Sequence, residues 1–126
     1  MSLGVDELWV IEVEPEVRDW LETLPQAQYD KVERHADKLL AAPTTLGEPF
    51  SRHLGGGVRE LRITLDDAKI RITYWLAPQR RIVLLTVFRK TRQREDAQVE
   101  RAQQAQKECE ARHGRAEHTY DRMEES

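Results

Sequence analysis

Three segments in the middle of this chain alternate apolar and polar residues, and only short turns separate them. In Val58–Leu65, Leu61, Ile63 and Leu65 share one face, and Glu60, Arg62 and Thr64 share the other. Lys69–Leu76 repeats the pattern, with Ile70, Ile72, Tyr74 and Leu76 inward and Arg71, Thr73 and Trp75 outward. Asp66-Asp67 marks the turn between them. Pro78-Gln79-Arg80 turns the chain into Arg81–Phe88, which is apolar on both faces and so expected inside a sheet. Connections this short make consecutive strands antiparallel neighbours. The rest of the chain must pack around that meander.

Upstream, residues 8–13 (LWVIEV) read as a first strand cut off by Glu14-Pro15. Pro15 suits the first turn of a helix, and Val17, Trp20, Leu21 and Leu24 follow at helical spacing. Pro25 breaks that helix and opens another, whose apolar stripe is Tyr29, Val32, Ala36, Leu39 and Leu40, ending at Pro43. Residues 44–57 (TTLGEPFSRHLGGG) read as a loop by composition. Asp96 can cap a last helix over 97–113, ended by Gly114. The expected fold is α+β, in the order β-α-α-β-β-β-α: a helical hairpin on a small, mainly antiparallel sheet, plus a C-terminal helix. Residues 1–114 form one domain in this reading, and 115–126, without periodicity, a disordered or partner-ordered tail.

Charge is segregated along the chain. Residues 1–45 carry four basic and ten acidic side chains, residues 46–95 eleven against five, and residues 96–126 five against eight. A polyanion meets the local field, and the middle segment supplies a positive one despite the net charge of −3. Nine of its eleven cations are arginines, which favours bidentate recognition of phosphate or carboxylate. The longest apolar run, Ile82 to Phe88, is strand length, so no membrane span is expected. The N-terminal MSLGVDELWV lacks the pattern of a cleaved signal, and the lone Cys109 fits a reducing cytoplasm.

If the strands on either side of Asp66-Asp67 pair, Arg62 and Arg71 sit close together on the face away from the core. Like charges side by side destabilise a sheet, and a bridging anion is a sufficient reason to keep them. Arg89, Lys90, Arg92 and Arg94 follow the last strand, while Arg52, His53 and Arg59 flank Gly55-Gly56-Gly57. Such a surface suits a polyanion without saying which; were it RNA, cleavage at the 2′-hydroxyl needs a base, cations for the phosphorane and an acid for the leaving oxygen, but no metal. Glu48 and His53 are the candidate bases, and Glu60 reads as the structural partner of Arg62. Outward Trp75 is open to two roles, stacking a base or covering a partner's apolar side chain. His35, His113 and His118 have no metal-ligand spacing, the glycine run lacks the Lys-Ser/Thr of a phosphate-binding loop, and Cys109 reads as a packing residue.

The run Leu54-Gly-Gly-Gly-Val58-Arg59-Glu60-Leu61-Arg62-Ile63, then Arg71-Ile72-Thr73-Tyr74, then Ile82-Val83-Leu84-Leu85 and Phe88-Arg89-Lys90-Thr91, resembles the phage Gp49-like/HigB branch of the RelE/ParE toxin superfamily. The resemblance implies the toxin of a type II toxin–antitoxin pair, a metal-independent, cofactor-free mRNA endoribonuclease acting on the ribosome. It also implies a cognate antitoxin, with a helix-turn-helix DNA-binding part. It places Arg62 and Arg71 as phosphate-binding, transition-state-stabilising arginines, Lys90 as the lysine after the last strand, and Arg52 as the basic residue before the glycines. Glu48-Pro49 is similar to the Glu-Pro of the YoeB branch, where the glutamate acts as base. The sequence departs from the family in having Thr91 for a second lysine and Glu95-Asp96 for Thr-Pro before the last helix. A ParE-like gyrase inhibitor and an inactive module that only binds antitoxin or ribosome are the competing readings.

Overall fold

The computed structural model describes residues 8–91 and 95–125, with the side chains of the last helix described as far as Arg112. Eight elements follow in order: β1 (Val10–Val13), α1 (Pro15–Glu22), α2 (Gln26–Ala41), β2 (Ser51–Gly55), β3 (Val58–Leu65), β4 (Ala68–Ala77), β5 (Arg81–Arg89) and α3 (Asp96–Glu125). One five-stranded sheet has the order β1-β5-β4-β3-β2. The α+β architecture expected from the sequence is therefore present, with one strand more than expected. β2 pairs antiparallel with β3 through Ser51↔Leu61, Arg52↔Glu60 and His53↔Arg59. Its sequence, SRHLG, is short and has no apolar alternation, because an edge strand is specified by its neighbour's free backbone groups more than by its side chains.

β2 to β5 run as an antiparallel meander, and β1 joins β5 in parallel, Val10↔Arg81 to Val13↔Leu84. The helical hairpin connects β1 at one edge to β2 at the other. Pro15 opens α1 at its first turn, where a missing N–H costs nothing, and Thr23 closes it, its Oγ1 donating to the Trp20 carbonyl at 2.6 Å. Val17 from α1 and Val32 and Leu39 from α2 are buried against Leu61, Ile63, Ile72 and Ile82 on one face of the sheet. Tyr29 and Leu40, expected in the buried stripe of α2, lie at its edges and are over a third exposed.

The second face is covered only in part. Ala102, Gln106 and Cys109 of α3 are buried, and Cys109 packs with Trp75, Ala77, Val83 and Leu85. Arg112 Nη2 donates to Glu14 Oε2 at 2.9 Å, and Arg101 pairs with Glu16, which ties this helix to the start of α1. The helix does not stop at Gly114 as expected from the sequence; its backbone runs on to Glu125. α3 begins beside the end of β5, so that Glu95 and Val99 border the part of the second face that carries Arg62 and Arg71.

A β-bulge shapes that part. The register of β4 with β5 shifts between Thr73↔Thr86 and Tyr74↔Leu84, so Leu85 has no partner of its own. One extra residue reverses the alternation of everything after it. Thr86 and Phe88 thereby come to the α3 face, Thr86 with its hydroxyl 2.5 Å from that of Thr73, and Phe88 opposite Arg71.

Candidate RNA-binding and catalytic site

Arg62 and Arg71 are register partners across β3 and β4. Residues directly opposite in an antiparallel pair share a face with their Cβ atoms about 5 Å apart. The expected convergence of the two guanidiniums is therefore built into the sheet. Glu60, two residues before Arg62, lies between them: its Oε2 is 3.2 Å from Arg62 Nε and 3.7 Å from Arg71 Nε. The sequence reading of Glu60 as a partner of Arg62 holds, and the structure extends it to Arg71. Glu60 and Arg71 side chains are each 9% exposed, so the bridge is buried, whereas Arg62 reaches solvent.

Burial pushes the Arg71 guanidinium down from its usual range; Glu60 opposes this, Arg62 adds to it, and Glu95 opposes it. It stays a cation, held also by its Nη1 donating to the Ile70 carbonyl at 3.2 Å. One carboxylate against two guanidiniums leaves surplus positive charge at a concave surface, the electrostatic form of an oxyanion site.

These residues line a cavity of about 270 Å³. Its floor is Glu60, Arg62, Arg71 and Phe88; β2 contributes Arg52, His53 and Leu54, and the segment from β5 into α3 contributes Lys90, Glu95 and Val99. Arg52 is the cross-strand partner of Glu60, which explains its place at the wall. Glu95 Oε1 accepts from the Thr91 amide at 3.2 Å, fixing the rim just ahead of α3. Glu95 and Phe88 were not legible as site residues: one sits in an irregular connection, and the other reaches this face only through the bulge.

Of the residues expected at the site, Arg62, Arg71, Lys90 and Arg52 gather at this cavity; His53 borders it but, as register partner of Arg59, shares the hairpin side of the sheet in strand alternation. Others do not. Arg59 pairs with Tyr74 on the helical-hairpin side of the sheet, where its charge acts on the Tyr74 hydroxyl. Burial pushes that hydroxyl up in pKa, and Ser51, 2.5 Å away, and Arg59 draw it back. Arg89, register partner of Ile70, also falls on the hairpin side. Trp75 is outward in the sense of strand alternation but only 6% exposed, because α3 lies over it, so it cannot stack a base. Glu48 does not line the cavity; it is exposed and approaches Arg62 from the other flank, Oε1 to Nη1 3.7 Å. Arg92 and Arg94 lie outside the described residues.

Among the described residues, no group of three His, Cys, Asp or Glu side chains is placed to hold a metal ion. No described helix is long and apolar enough to cross a membrane.

The sequence pattern of the phage-derived Gp49-like protein family matches residues 19–107. No match is found among curated proteins. Solved structures with a similar fold include a free, doubly substituted form of the E. coli toxin RelE, at 12% identity and TM-score 0.51 over 73% of this chain and 90% of that one. The archaeal RelE–RelB complex from Pyrococcus horikoshii OT3 is similar at 22% identity and TM-score 0.51, over 68% of this chain and 99% of that one. The intact E. coli RelBE toxin–antitoxin complex matches at 12% identity and TM-score 0.52, over 67% and 99%. With a family pattern covering most of the chain and a shared topology, this protein belongs to the phage-derived Gp49-like family and is built on the RelE fold.

Proposed function

We propose that this protein is the toxin of a type II toxin–antitoxin pair and cleaves mRNA on the ribosome, in the cytoplasm, without a metal. The observation that carries the reading is the opposition of Arg62 and Arg71 at the floor of an open, positive cavity that also holds Lys90 and Glu95. In this reading the scissile phosphate sits on the two guanidiniums. The 2′-oxygen attacks phosphorus, its proton passes to Glu95, and a phosphorane forms whose added charge Arg62 and Arg71 stabilise. The bond from phosphorus to the 5′-oxygen then breaks, and that oxygen leaves protonated by Lys90. The products are a 2′,3′-cyclic phosphate and a 5′-hydroxyl. Arg52 holds the strand at the β2 wall. RelE structures solved together with RelB support a cognate antitoxin as the partner that silences the protein by covering this basic face.

Mapping RNA 5′ ends in translating cells after induction tests the reading. New 5′-hydroxyl ends inside messages are expected with the unsubstituted protein and not with R62A/R71A. A growth defect with altered DNA supercoiling and unchanged RNA ends would make the protein a gyrase inhibitor of the ParE kind.

A further inference from the structure

Arg62 and Arg71 form one wall of a second cavity, of about 390 Å³, on their far flank. Its other walls come from Lys31 and His35 of α2, Phe50 before β2, and Lys69 of β4. The two cavities differ in charge. The first sets Arg52, Arg62, Arg71 and Lys90 against Glu60 and Glu95, whereas the second is lined by Lys31, Arg62, Lys69 and Arg71 and by no carboxylate. Neither Lys31 nor Lys69 forms an ion pair with a described residue. Glu48, the nearest acid to Arg62 on this flank, is mostly exposed. His35 leaves its Nδ1 buried without a hydrogen-bond partner at the same wall. Arg62 and Arg71 share Glu60, so the surplus charge here comes from Lys31 and Lys69, and cations without a paired carboxylate at a concavity favour a bound anion.

We propose that this second cavity seats the phosphodiester next to the scissile one, so that Arg62 and Arg71 divide two consecutive phosphates of one RNA strand. The inference rests on the ribonuclease reading and names the path of the substrate across it. A single polymer with regularly spaced charges is favoured because Arg62 and Arg71 line both cavities. A ligand held on one side is then within reach of the other. Glu95, which lines only the first cavity, suits proton transfer there, and the carboxylate-free second cavity suits only holding.

The test uses a short single-stranded RNA, fully 2′-O-methylated so that it cannot be cleaved, with one linkage at a time made neutral as a methylphosphonate. Affinity is read by fluorescence anisotropy. For the unsubstituted protein, neutralising either of two adjacent linkages should weaken binding by about tenfold, the size of a charge-assisted contact. In K31Q/K69Q, a surface change checked by thermal melting, unmodified RNA should bind as weakly as the singly neutralised one. Sensitivity should persist at one linkage and vanish at the other. The slope of log affinity against log salt should fall by about 0.7, one single-strand phosphate. If K31Q/K69Q keeps both sensitive linkages, the second seat is refuted while the ribonuclease reading stands. If the double variant binds RNA unchanged but loses an acidic peptide that the unsubstituted protein binds, the cavity is a protein site and the proposal fails. If the unsubstituted protein binds the RNA neither free nor seated in the decoding site of a ribosome, the reading and the proposal fall together.

Discussion

A single oxygen of Glu60 lies 3.2 Å from the Nε of Arg62 and 3.7 Å from the Nε of Arg71, and so holds together two cations that the sheet register forces face to face. Removing one member of a buried ionic group leaves the others uncompensated, at a cost of about 3 kcal/mol. Glu60→Gln is expected to lower stability by about that amount in urea titration. Added sulfate should raise the melting temperature of the variant more than that of the unsubstituted protein, because an anion restores the missing charge. Equal sulfate responses would mean that the guanidiniums separate once the carboxylate is gone.

The contact between α3 and the sheet can be read at Cys109. It is fully buried against Trp75, and burial pushes its thiol up, with the Trp75 side chain drawing it back and Glu14 adding to the rise. Native protein should therefore resist iodoacetamide at mildly alkaline pH and react only when denatured. Cys109→Ser keeps a hydrogen-bonding group beside Trp75 and Glu14 and should cost less than Cys109→Ala, which removes it, a difference of about 1 kcal/mol read by denaturant titration. Fast labelling of the native protein would show α3 leaving the sheet readily.

His35 gives a pH dependence of defined sign. Burial lowers its pKa from 6.5, and Lys38, Lys31 and Arg34 lower it further. Between the depressed folded value and 6.5 the unfolded chain binds more protons, so stability falls as pH drops through that window and is unaffected by this group above it. His35→Gln should flatten the acid side of the stability profile measured by denaturant titration from neutral to acid pH. An unchanged slope would mean that His35 titrates alike in both states. The ring stands 6.3 Å from that of Phe50, which Lys38 Nζ covers at 4.1 Å, so the substitution also tests the seat of α2 against the residue before β2.

Local pattern determined much of this molecule. The alternation in Val58–Leu65 and Lys69–Leu76 settled which side chains share a face, because a strand's period of two depends on the backbone alone. With the short turn at Asp66-Asp67, that placed Arg62 opposite Arg71 and made Glu60 their neighbour. The prolines at 15 and 25 likewise marked where the hairpin helices begin.

What the tertiary structure decided depends on non-local packing. β2 exists because β3 offers an edge, and its own residues carry no alternation that would announce it. Trp75 is buried because α3 crosses the second face, a contact between residues far apart in the chain. Phe88 reaches the cavity only because one unpaired residue in β5 inverts the faces after it, and Arg89 is turned away for the same reason. Arginine content could announce an anion-binding surface, but which arginines share it was set by strand register and by where the last helix begins.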